Sequence, residues 1–258
     1  MSAQPMETKK LKPSEVTVSF VHTENSGLIV RIETPRLLIR SVTERDTDNY
    51  FNLFSDFRVM EKYAAGKPIT DRSLIENRIK GWVTRWQNKV PDPFNGLAIF
   101  KKDKSEFIGH VVIGRSEEGP GISELAYIFH KEFWGQGYGS EAVSAVVNHY
   151  AIQIIKKSYK LDGAELRAII ATTRIEHERS NKILKLAGLT TEEDKINEKF
   201  GAKRFIYRVD SKRLLEIYMN LCSAESQFFT HQRQNNEPIT TDTLSIDENL
   251  IGRHTSQK

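Results

Sequence analysis

The sequence contains a single cysteine, Cys222, among 258 residues. One cysteine excludes an intrachain disulfide and a metal site built from several cysteines, and it fits a reducing compartment such as the cytosol. Cys222 ends an apolar run that begins at Met219, which favours a small buried side chain over an activated nucleophile. No stretch reaches the roughly 18 apolar residues that are needed to span a bilayer, and Met1–Lys12 lacks the apolar segment of a secretory signal. We therefore expect a cytoplasmic protein with no membrane partner.

A strong charge of one sign is also lacking. The net charge is +4, and the basic residues form no long run. This modest charge weakly favours an anionic ligand and gives no sign of direct contact with nucleic acid. With 38% hydrophobic and 28% charged residues, the composition is typical of a globular protein.

Both ends of the chain are poor in periodic apolar residues. Residues 1–27 are predicted to be an N-terminal arm, in which the alternation over Val16–Val21 leaves open an appended strand or a disordered segment. One folded domain is predicted for residues 28–222. Residues 223–258 are polar and are predicted to be a disordered tail.

The pattern between these ends is typical of a mixed α/β domain. Strands are predicted at residues 28–32, 36–40, 96–100, 106–114, 122–129, 166–171 and 204–209, and helices after residue 43 and at residues 71–87, 137–157, 178–187 and 211–221. Short connections join the three strands between residues 96 and 129, which indicates antiparallel hairpins. The continuous apolar run at residues 166–171 is typical of a buried parallel strand.

A glycine-rich turn joins the strand at residues 122–129 to the helix that follows. Gly135, Gly137 and Gly139 leave three positions without side chains, so that a ligand can come close to the backbone. The helix begins with N–H groups that have no intrahelical partner and carry partial positive charge. Such a turn followed by a helix predicts a phosphate site.

A dinucleotide is the first candidate for this phosphate, because Gly135, Gly137 and Ser140 nearly satisfy the G-x-G-x-x-G spacing. That motif requires a parallel βαβ unit and an acidic residue at the end of the next strand. Here the preceding strand closes an antiparallel set, and the next strand ends in Thr172-Thr173 and not in an acidic residue. Neither requirement is met, which argues against a dinucleotide. A P-loop is excluded because no Gly-Lys-Ser/Thr follows the glycines.

The segment from Glu124 to Ala142 closely resembles the acetyl-coenzyme A motif of the GNAT superfamily of N-acetyltransferases. The fixed positions of that motif, Gln/Arg-x-x-Gly-x-Gly/Ala, fall on Trp134, Gly137 and Gly139. Tryptophan in the first position is similar to the branch that acetylates the N-termini of ribosomal proteins. Residues 34–40, Thr-Pro-Arg-Leu-Leu-Ile-Arg, resemble the opening strand of that branch, and residues 177–189 resemble its Asn-x-x-Ser helix. The resemblance covers roughly residues 33–210 and implies the GNAT fold, a mixed and mostly antiparallel sheet flanked by helices.

The resemblance implies acetyl-coenzyme A as cosubstrate and no metal. It implies that the pyrophosphate of coenzyme A binds at Gln136, Gly137, Tyr138, Gly139 and Ser140. It implies that the pantetheine arm binds at Ile128, Phe129, His130 and His177. His177 stands where the family usually has asparagine, so this contact differs from the family pattern. Glu141 near the helix start is explained by the helix dipole.

The acceptor amine must attack in its neutral form, so the reaction needs a base. At neutral pH, deprotonation costs about 1 kcal/mol for an α-amine and nearly 5 kcal/mol for a lysine. Glu124 stands where the resembled branch has a glutamate and is the candidate general base, whereas an exposed strand glutamate or an ion pair is the ordinary alternative. Ser180 matches the family's helix serine and is the candidate donor to the leaving thiolate, although a serine in a first turn often caps its helix.

The sequence leaves the acceptor open. A protein N-terminal α-amine is the main hypothesis, with direct transfer in a ternary complex, and a polyamine, an aminoglycoside-like drug or a lysine side chain are the alternatives. A sensor or scaffold that binds acyl-coenzyme A without catalysis is a hypothesis of another class. The sequence is compatible with a monomer or a homodimer.

Overall fold

The computed structural model describes residues 11–23, 27–90 and 92–234. Its strands are β1 (Thr17–Thr23), β2 (Gly27–Glu33), β3 (Leu37–Ser41), β4 (Gly96–Lys101), β5 (Glu106–Arg115), β6 (Ile122–Phe129), β7 (Lys160–Leu161), β8 (Ala164–Glu165), β9 (Ala168–Arg174), β10 (Thr190–Lys199) and β11 (Ala202–Asp210). Its helices are α1 (Thr47–Ser55), α2 (Phe57–Met60), α3 (Arg72–Trp86), α4 (Tyr138–Ala145), α5 (Ala151–Lys156), α6 (Glu178–Leu186) and α7 (Ser211–Gln234). Among the described residues, no helix is both long and apolar enough to cross a membrane.

Nine of the described strands form one sheet in the order β1-β2-β3-β4-β5-β6-β9-β11-β10. All neighbours in it are antiparallel except β6 and β9. The predicted mixed and mostly antiparallel sheet is therefore confirmed. The parallel pair lies inside the sheet, two strands from the β10 edge, where a crossover through α4 and α5 returns the chain in the same direction.

Each face of the sheet has its own hydrophobic core. One face packs on α4, α5 and the start of α7, through a cluster that includes Leu125, Val143 and Ile169. The other face packs on α1, α2 and α3, through a cluster that includes Ile79 and Ile128. We call the second one the α3 face and the first one the α4 face. Successive side chains of a strand point to opposite faces, so along β6 the residues two positions apart lie on the same face.

The parallel strands β6 and β9 pair only at their beginnings. Ile122 pairs with Ala168, and the pairing continues to Glu124 with Ile170. From Leu125 to Phe129, β6 pairs with β5 alone in the described sheet. A gap therefore opens between β6 and β9 directly after Glu124, and it connects the two faces.

At the N-terminal end, the structure contains the appended strand that the sequence left open. In the N-terminal arm, β1 adds a strand to the sheet by pairing with β2, from Thr17 with Glu33 to Thr23 with Gly27. The remainder of the predicted arm, residues 1–10 and 24–26, lies outside the described residues.

The predicted start of the C-terminal tail at residue 223 is wrong, because α7 continues to Gln234. Glu225 is only 8% exposed and accepts hydrogen bonds from the backbone N–H (3.2 Å) and the hydroxyl of Ser14. The polar sequence of this helix end therefore packs on the N-terminal segment instead of on a hydrophobic core. Residues 235–258 of the predicted tail lie outside the described residues.

The strand β10 was not predicted from the sequence. It carries charged residues through much of its length and forms one edge of the sheet, where it pairs with β11 alone. Charged side chains are common on edge strands, because they discourage pairing with other chains. The missing apolar alternation thus reflects its edge position.

Two buried histidines make the fold sensitive to acid. Burial lowers the pKa of His110 to about 3 and that of His149 to about 4. In the unfolded chain both titrate near 6.5, so below that pH the unfolded state binds more protons than the folded state. We expect the free energy of unfolding to fall by about 1.4 kcal/mol per pH unit for each histidine between pH 6.5 and 5. Thermal melts across this range measure it.

The variant His149→Leu should remove its share of this slope, since leucine fills a buried site without titrating. His22→Gln, an exposed change on β1, is the matched control and should leave the slope intact. An unchanged slope in His149→Leu would show that His149 does not contribute.

Candidate active site

The start of α4 has the geometry of an anion site. Gly135 (φ +76°) and Gly137 (φ +81°) are in the left-handed region, which glycine enters at little cost. The first backbone hydrogen bond of this helix runs from the Glu141 N–H to the Gly137 carbonyl (3.0 Å). Helix geometry therefore leaves the N–H groups of Tyr138, Gly139 and Ser140 pointing out of the helix start. These groups and the helix dipole favour a phosphate there.

Bare backbone also lets other elements come close to this turn. A Cβ on Gly139 would lie 3.0 Å from Ile183 Cδ1 on α6 and 3.6 Å from the Phe129 ring on β6. Gly139 is thus the point where α4, α6 and β6 meet. A larger side chain would have to move one of these neighbours.

The side chains of the turn are engaged with the protein itself. The Tyr138 ring is buried and lies under the Arg36 guanidinium, 4.5 Å from its Cζ. The Gln136 amide donates to the Glu132 carbonyl (2.7 Å), and the Gln136 carbonyl accepts from Arg36 Nη1 (2.9 Å). Any contribution of Gln136 and Tyr138 to a phosphate site therefore comes from the backbone.

Glu141 joins the helix start to the beginning of β3. Its carboxylate, 8% exposed, accepts hydrogen bonds from the Thr34 hydroxyl (2.6 Å), the Arg36 N–H (3.0 Å) and Arg36 Nε (2.5 Å). The helix dipole alone, which the sequence suggested as the explanation of Glu141, does not account for this network. The Thr-Pro-Arg segment before β3 and the glycine turn are thereby held together, although about a hundred residues separate them.

At the gap, the backbone N–H and C=O groups of β6 point alternately toward β5 and toward the gap. The His130 N–H donates to the Ile108 carbonyl (3.0 Å) and continues the antiparallel ladder with β5. Alternate residues of such a strand turn their N–H and C=O groups to the same neighbour. Ile128 and His130 therefore use these groups on β5, and those of Tyr127 and Phe129 face the gap.

The directions of these backbone groups reduce the number of residues that can contact the pantetheine arm through their backbone. Of Ile128, Phe129 and His130, only Phe129 turns its backbone groups to the gap, where Tyr127 accompanies it. The Phe129 carbonyl accepts from Trp134 Nε1 (2.8 Å), so its N–H is the group left for a ligand. The same bond gives Trp134 a structural role in the position where the general family motif has Gln or Arg.

The candidate proton donor Ser180 is bonded to a tyrosine. Ser180 is 9% exposed, and its Oγ lies 2.8 Å from the hydroxyl of Tyr127. The Tyr127 hydroxyl is also 3.3 Å from the Ser180 carbonyl, to which it donates. Burial raises the pKa of Tyr127 well above its usual range. The phenol therefore stays protonated at neutral pH and holds the Ser180 hydroxyl in place.

Sequence reasoning missed Tyr127. Its signal was present, because a tyrosine three positions after Glu124 stands in the same strand that carries the motif. Its contact with α6, 53 residues later, is a tertiary one that no spacing rule predicts.

His177 lies at the N-terminus of α6, where its carbonyl accepts from the Asn181 N–H (3.1 Å). Its side chain makes no capping hydrogen bond. Partial burial, then the nearby Lys62 charge, lowers the pKa of His177. The imidazole is therefore neutral at pH 7 and can donate or accept one hydrogen bond at this position.

The candidate base Glu124 forms an ion pair. Lys199 Nζ, from the end of β10, lies 3.3 and 3.5 Å from its two carboxylate oxygens, and both side chains are 29% exposed. Glu124 thus forms an ion pair, which was the ordinary alternative to a catalytic role. It also lies where the gap between β6 and β9 begins. Glu124 is accessible to solvent and is already close to an amine.

Glu124 and Ser180 lie on opposite faces of the sheet. Glu124 and Tyr127 are three positions apart on β6, so their side chains point to opposite faces. Tyr127 contacts Ser180 on the α4 face, whereas Glu124 shares the α3 face with Ile128. Because the gap between β6 and β9 opens directly after Glu124, the two groups flank the passage between the faces.

A cavity of about 430 Å³ lies on the α3 face. Its lining comes from α1, the end of α2 and the segment after it, α3 and β5. It consists of Phe54, Met60, Tyr63, Ala64, Ala65, Lys67, Ile69, Arg78, Trp82, His110 and Val112. Burial raises the pKa of Tyr63, and the Glu124 carboxylate adds to this shift, so Glu124 is near this lining. The cavity offers an acceptor molecule space on the side of the candidate base.

The described residues contain no group of three or more His, Cys, Asp or Glu side chains that could hold a metal ion.

Comparisons with known proteins agree with this arrangement. Residues 36–190, more than half of the chain, match the acetyltransferase (GNAT) domain family. An uncharacterized N-acetyltransferase from Bacillus subtilis, YoaA, is 26% identical over 163 residues, which are 62% of this chain and 83% of that protein. The ribosomal-protein-serine acetyltransferase of Escherichia coli is 31% identical over 85 residues, 33% of this chain and 41% of that protein.

A solved structure supports the same fold. The spermidine N-acetyltransferase from Vibrio cholerae, determined in complex with CoA and spermine, superposes with a TM-score of 0.56. It covers 69% of this chain and 98% of that chain at 15% sequence identity. The predicted resemblance and the predicted fold are confirmed, and the chain belongs to the GNAT acetyltransferase family as an N-acetyltransferase.

Proposed function

We propose that this protein transfers the acetyl group of acetyl-coenzyme A to the α-amine at the N-terminus of a protein or peptide, by direct attack in a ternary complex. The observation that carries the proposal is the placement of Glu124 and the Tyr127–Ser180 pair on opposite faces of β6, at the gap between β6 and β9. A base on one side and a proton donor on the other suit a reaction in which an amine enters from one face and a thiolate leaves toward the other.

Glu124 acts as the general base in this proposal. The neutral amine attacks the acetyl carbonyl, a C–N bond forms and the C–S bond breaks. The amine proton passes to Glu124, directly or through one water. The thiolate takes a hydrogen bond or a proton from Ser180, and Ser180 regains any proton that it gives from solvent. The Phe129 N–H faces the gap and supplies the oriented backbone donor that a developing oxyanion needs.

The acetyl donor is held by backbone groups. The N–H groups of Tyr138, Gly139 and Ser140 suit the pyrophosphate of coenzyme A, and His177 at the start of α6 suits its pantetheine arm. The clamp between Glu141 and Arg36 fixes the turn that presents these N–H groups. No cationic side chain is required for such a site, because the helix start itself favours an anion.

Two arguments support an α-amine as acceptor. Its lower pKa reduces the cost of deprotonation at neutral pH to about 1 kcal/mol, against nearly 5 kcal/mol for lysine. The Escherichia coli relative acts, by its name, on a ribosomal-protein serine. The Vibrio cholerae neighbour is named for spermidine, so a polyamine is the alternative that an experiment must separate.

The experiment offers acetyl-coenzyme A together with three acceptors. These are a peptide with a free N-terminus, the same peptide with a blocked N-terminus and one internal lysine, and spermidine. Mass spectrometry locates the added acetyl group, and release of coenzyme A gives the rate. We expect acetylation of the free N-terminus, and transfer to spermidine or lysine alone would overturn the choice of acceptor.

A thermal-shift titration with acetyl-coenzyme A accompanies this assay. Stabilisation without transfer to any acceptor would favour a sensor or scaffold, the other class of function compatible with this family. No stabilisation at all would contradict both readings of the site.

A further inference from the structure

Two arginines lie side by side on the α3 face, near Glu124. Arg174 on β9 pairs with Arg204 on β11. Glu124 pairs with Ile170, and Arg174 follows Ile170 by four positions, so alternation places both arginines on the face that carries Glu124. Like charges directly opposite each other on neighbouring strands are destabilising.

The surrounding protein does little to neutralise this pair. Arg204 is 5% exposed, and it donates to two backbone carbonyls, those of Lys199 (3.1 Å) and Ala64 (2.9 Å). Burial, followed by the Arg174 charge, lowers the pKa of Arg204. Carbonyl oxygens satisfy its N–H groups without cancelling its charge.

Arg174 has even weaker support. Its Nε is buried and has no hydrogen-bond partner within the part of the chain that the structure describes. The carboxylate that pairs with it, on Glu176, lies 3.9 Å from Nη1 and is 66% exposed. A pair at this distance and exposure contributes little.

Both guanidinium groups lie against the segment after α2, part of which lines the cavity. Arg204 bonds Ala64, which lines the cavity, and a Cβ on Gly66 would lie 3.2 Å from Arg174 Nη2. Lys67 and Arg78 also line the cavity. The acceptor side of the gap is therefore mainly cationic, and the carboxylates near these arginines are Glu124 and the exposed Glu176.

We infer that the acceptor carries an anionic group, which the guanidinium of Arg174 binds beside the cavity, with the buried charge of Arg204 next to it, while the acceptor amine lies at Glu124. This inference rests on the proposed function and narrows its substrate class. A planar guanidinium matches a carboxylate or a phosphate, and the charge-assisted bonds are about twice as strong as neutral ones. A polycation such as spermidine would meet repulsion on this face.

The spacing fits a peptide with an acidic residue close to its N-terminus. Arg174 lies four residues along β9 from Ile170, which corresponds to about 13 Å between backbone positions. An extended peptide spans about 3.3–3.6 Å per residue, so the anionic side chain belongs within the first four or five residues. An aspartate in that range is the simplest probe.

The experiment compares kcat/KM for matched peptides that differ only by aspartate or asparagine at the second, third, fourth or fifth position. We expect the wild type to prefer aspartate at one of these positions by tenfold or more, on the order of one charged hydrogen-bonded contact. In Arg174→Gln the preference should disappear, and Arg174→Lys should restore part of it. Arg213→Gln, an exposed change on α7, is the matched control and should retain the full preference.

Arg174 is changed in preference to Arg204, because loss of the buried Arg204 would leave two carbonyls without donors. Equal rates for aspartate and asparagine peptides in the wild type, or a preference that persists in Arg174→Gln, would overturn the inference. The proposed function fails differently, by transfer to no peptide of either charge.

Discussion

Replacement of Glu124 by glutamine is expected to lower kcat for a peptide acceptor by about 10²- to 10⁴-fold, the usual contribution of a general base. Glutamine keeps the size of the side chain and can accept one hydrogen bond, but it cannot take up the amine proton. The thermal shift on binding of acetyl-coenzyme A should be unchanged, because Glu124 lies on the α3 face and the glycine turn at α4 packs on the other side of the sheet.

The pH profile gives this test a second readout. An α-amine titrates near pH 8, so the fraction of neutral amine rises through that range. Glu124→Gln depends wholly on amine that is already neutral, so its rate should continue to rise to about pH 9 and recover part of the loss. Glu165→Gln, an exposed change on β8, is the matched control. Turnover near the wild-type level in Glu124→Gln would show that another group takes the proton.

The ion pair between Glu124 and Lys199 affects the acceptor KM. Lys199 Nζ lies 3.3 Å from the carboxylate, in the place where an acceptor amine would make its hydrogen bond. An incoming amine must therefore displace it. Partly exposed pairs of this kind contribute about 0.2–1 kcal/mol, so the displacement raises the acceptor KM by no more than about fivefold.

Replacement of Ser180 by alanine is expected to lower kcat by about 100-fold, the lower end for loss of a proton donor. We expect a loss at the lower end of the usual range, because a thiol with an ordinary pKa, near 8.5, can leave as a thiolate without full protonation. Tyr127→Phe removes only the hydrogen bond that orients Ser180, and it should cost about five- to tenfold, as for one neutral hydrogen bond. Both changes should act on kcat and leave the acceptor KM unaltered.

The order of these two effects decides which hydroxyl gives the proton. A larger loss in Tyr127→Phe than in Ser180→Ala would make Tyr127 the donor and Ser180 the residue that positions it. Because burial raises the pKa of Tyr127, the wild-type kcat should show no decline from this phenol up to pH 10. Tyr159→Phe, a change in a half-buried tyrosine stacked on Phe20 at 5.6 Å, is the control for loss of a hydroxyl away from the gap.

Much of the fold could be predicted from local patterns. The apolar stretch Leu125–Phe129, the stripe of α3 and the apolar run of β9 each indicate one element, because burial of one face or of both leaves a pattern in the sequence. The strand β10 could not be found this way, since an edge strand carries charges where a central strand has apolar residues. The end of α7 was also missed, because Glu225 packs on Ser14 through hydrogen bonds that leave no hydrophobic period.

The sequence by itself determined the family and the position of the glycine turn before a helix, because glycine spacing and a helix start are local properties of the chain. It also placed Glu124 on the strand before that turn. Only the tertiary structure decided that Tyr127 holds Ser180, that Lys199 faces Glu124 and that Arg174 stands beside Arg204, since each contact joins segments that are tens of residues apart. Such contacts are set by strand order and by the gap between β6 and β9, which arise when the sheet assembles.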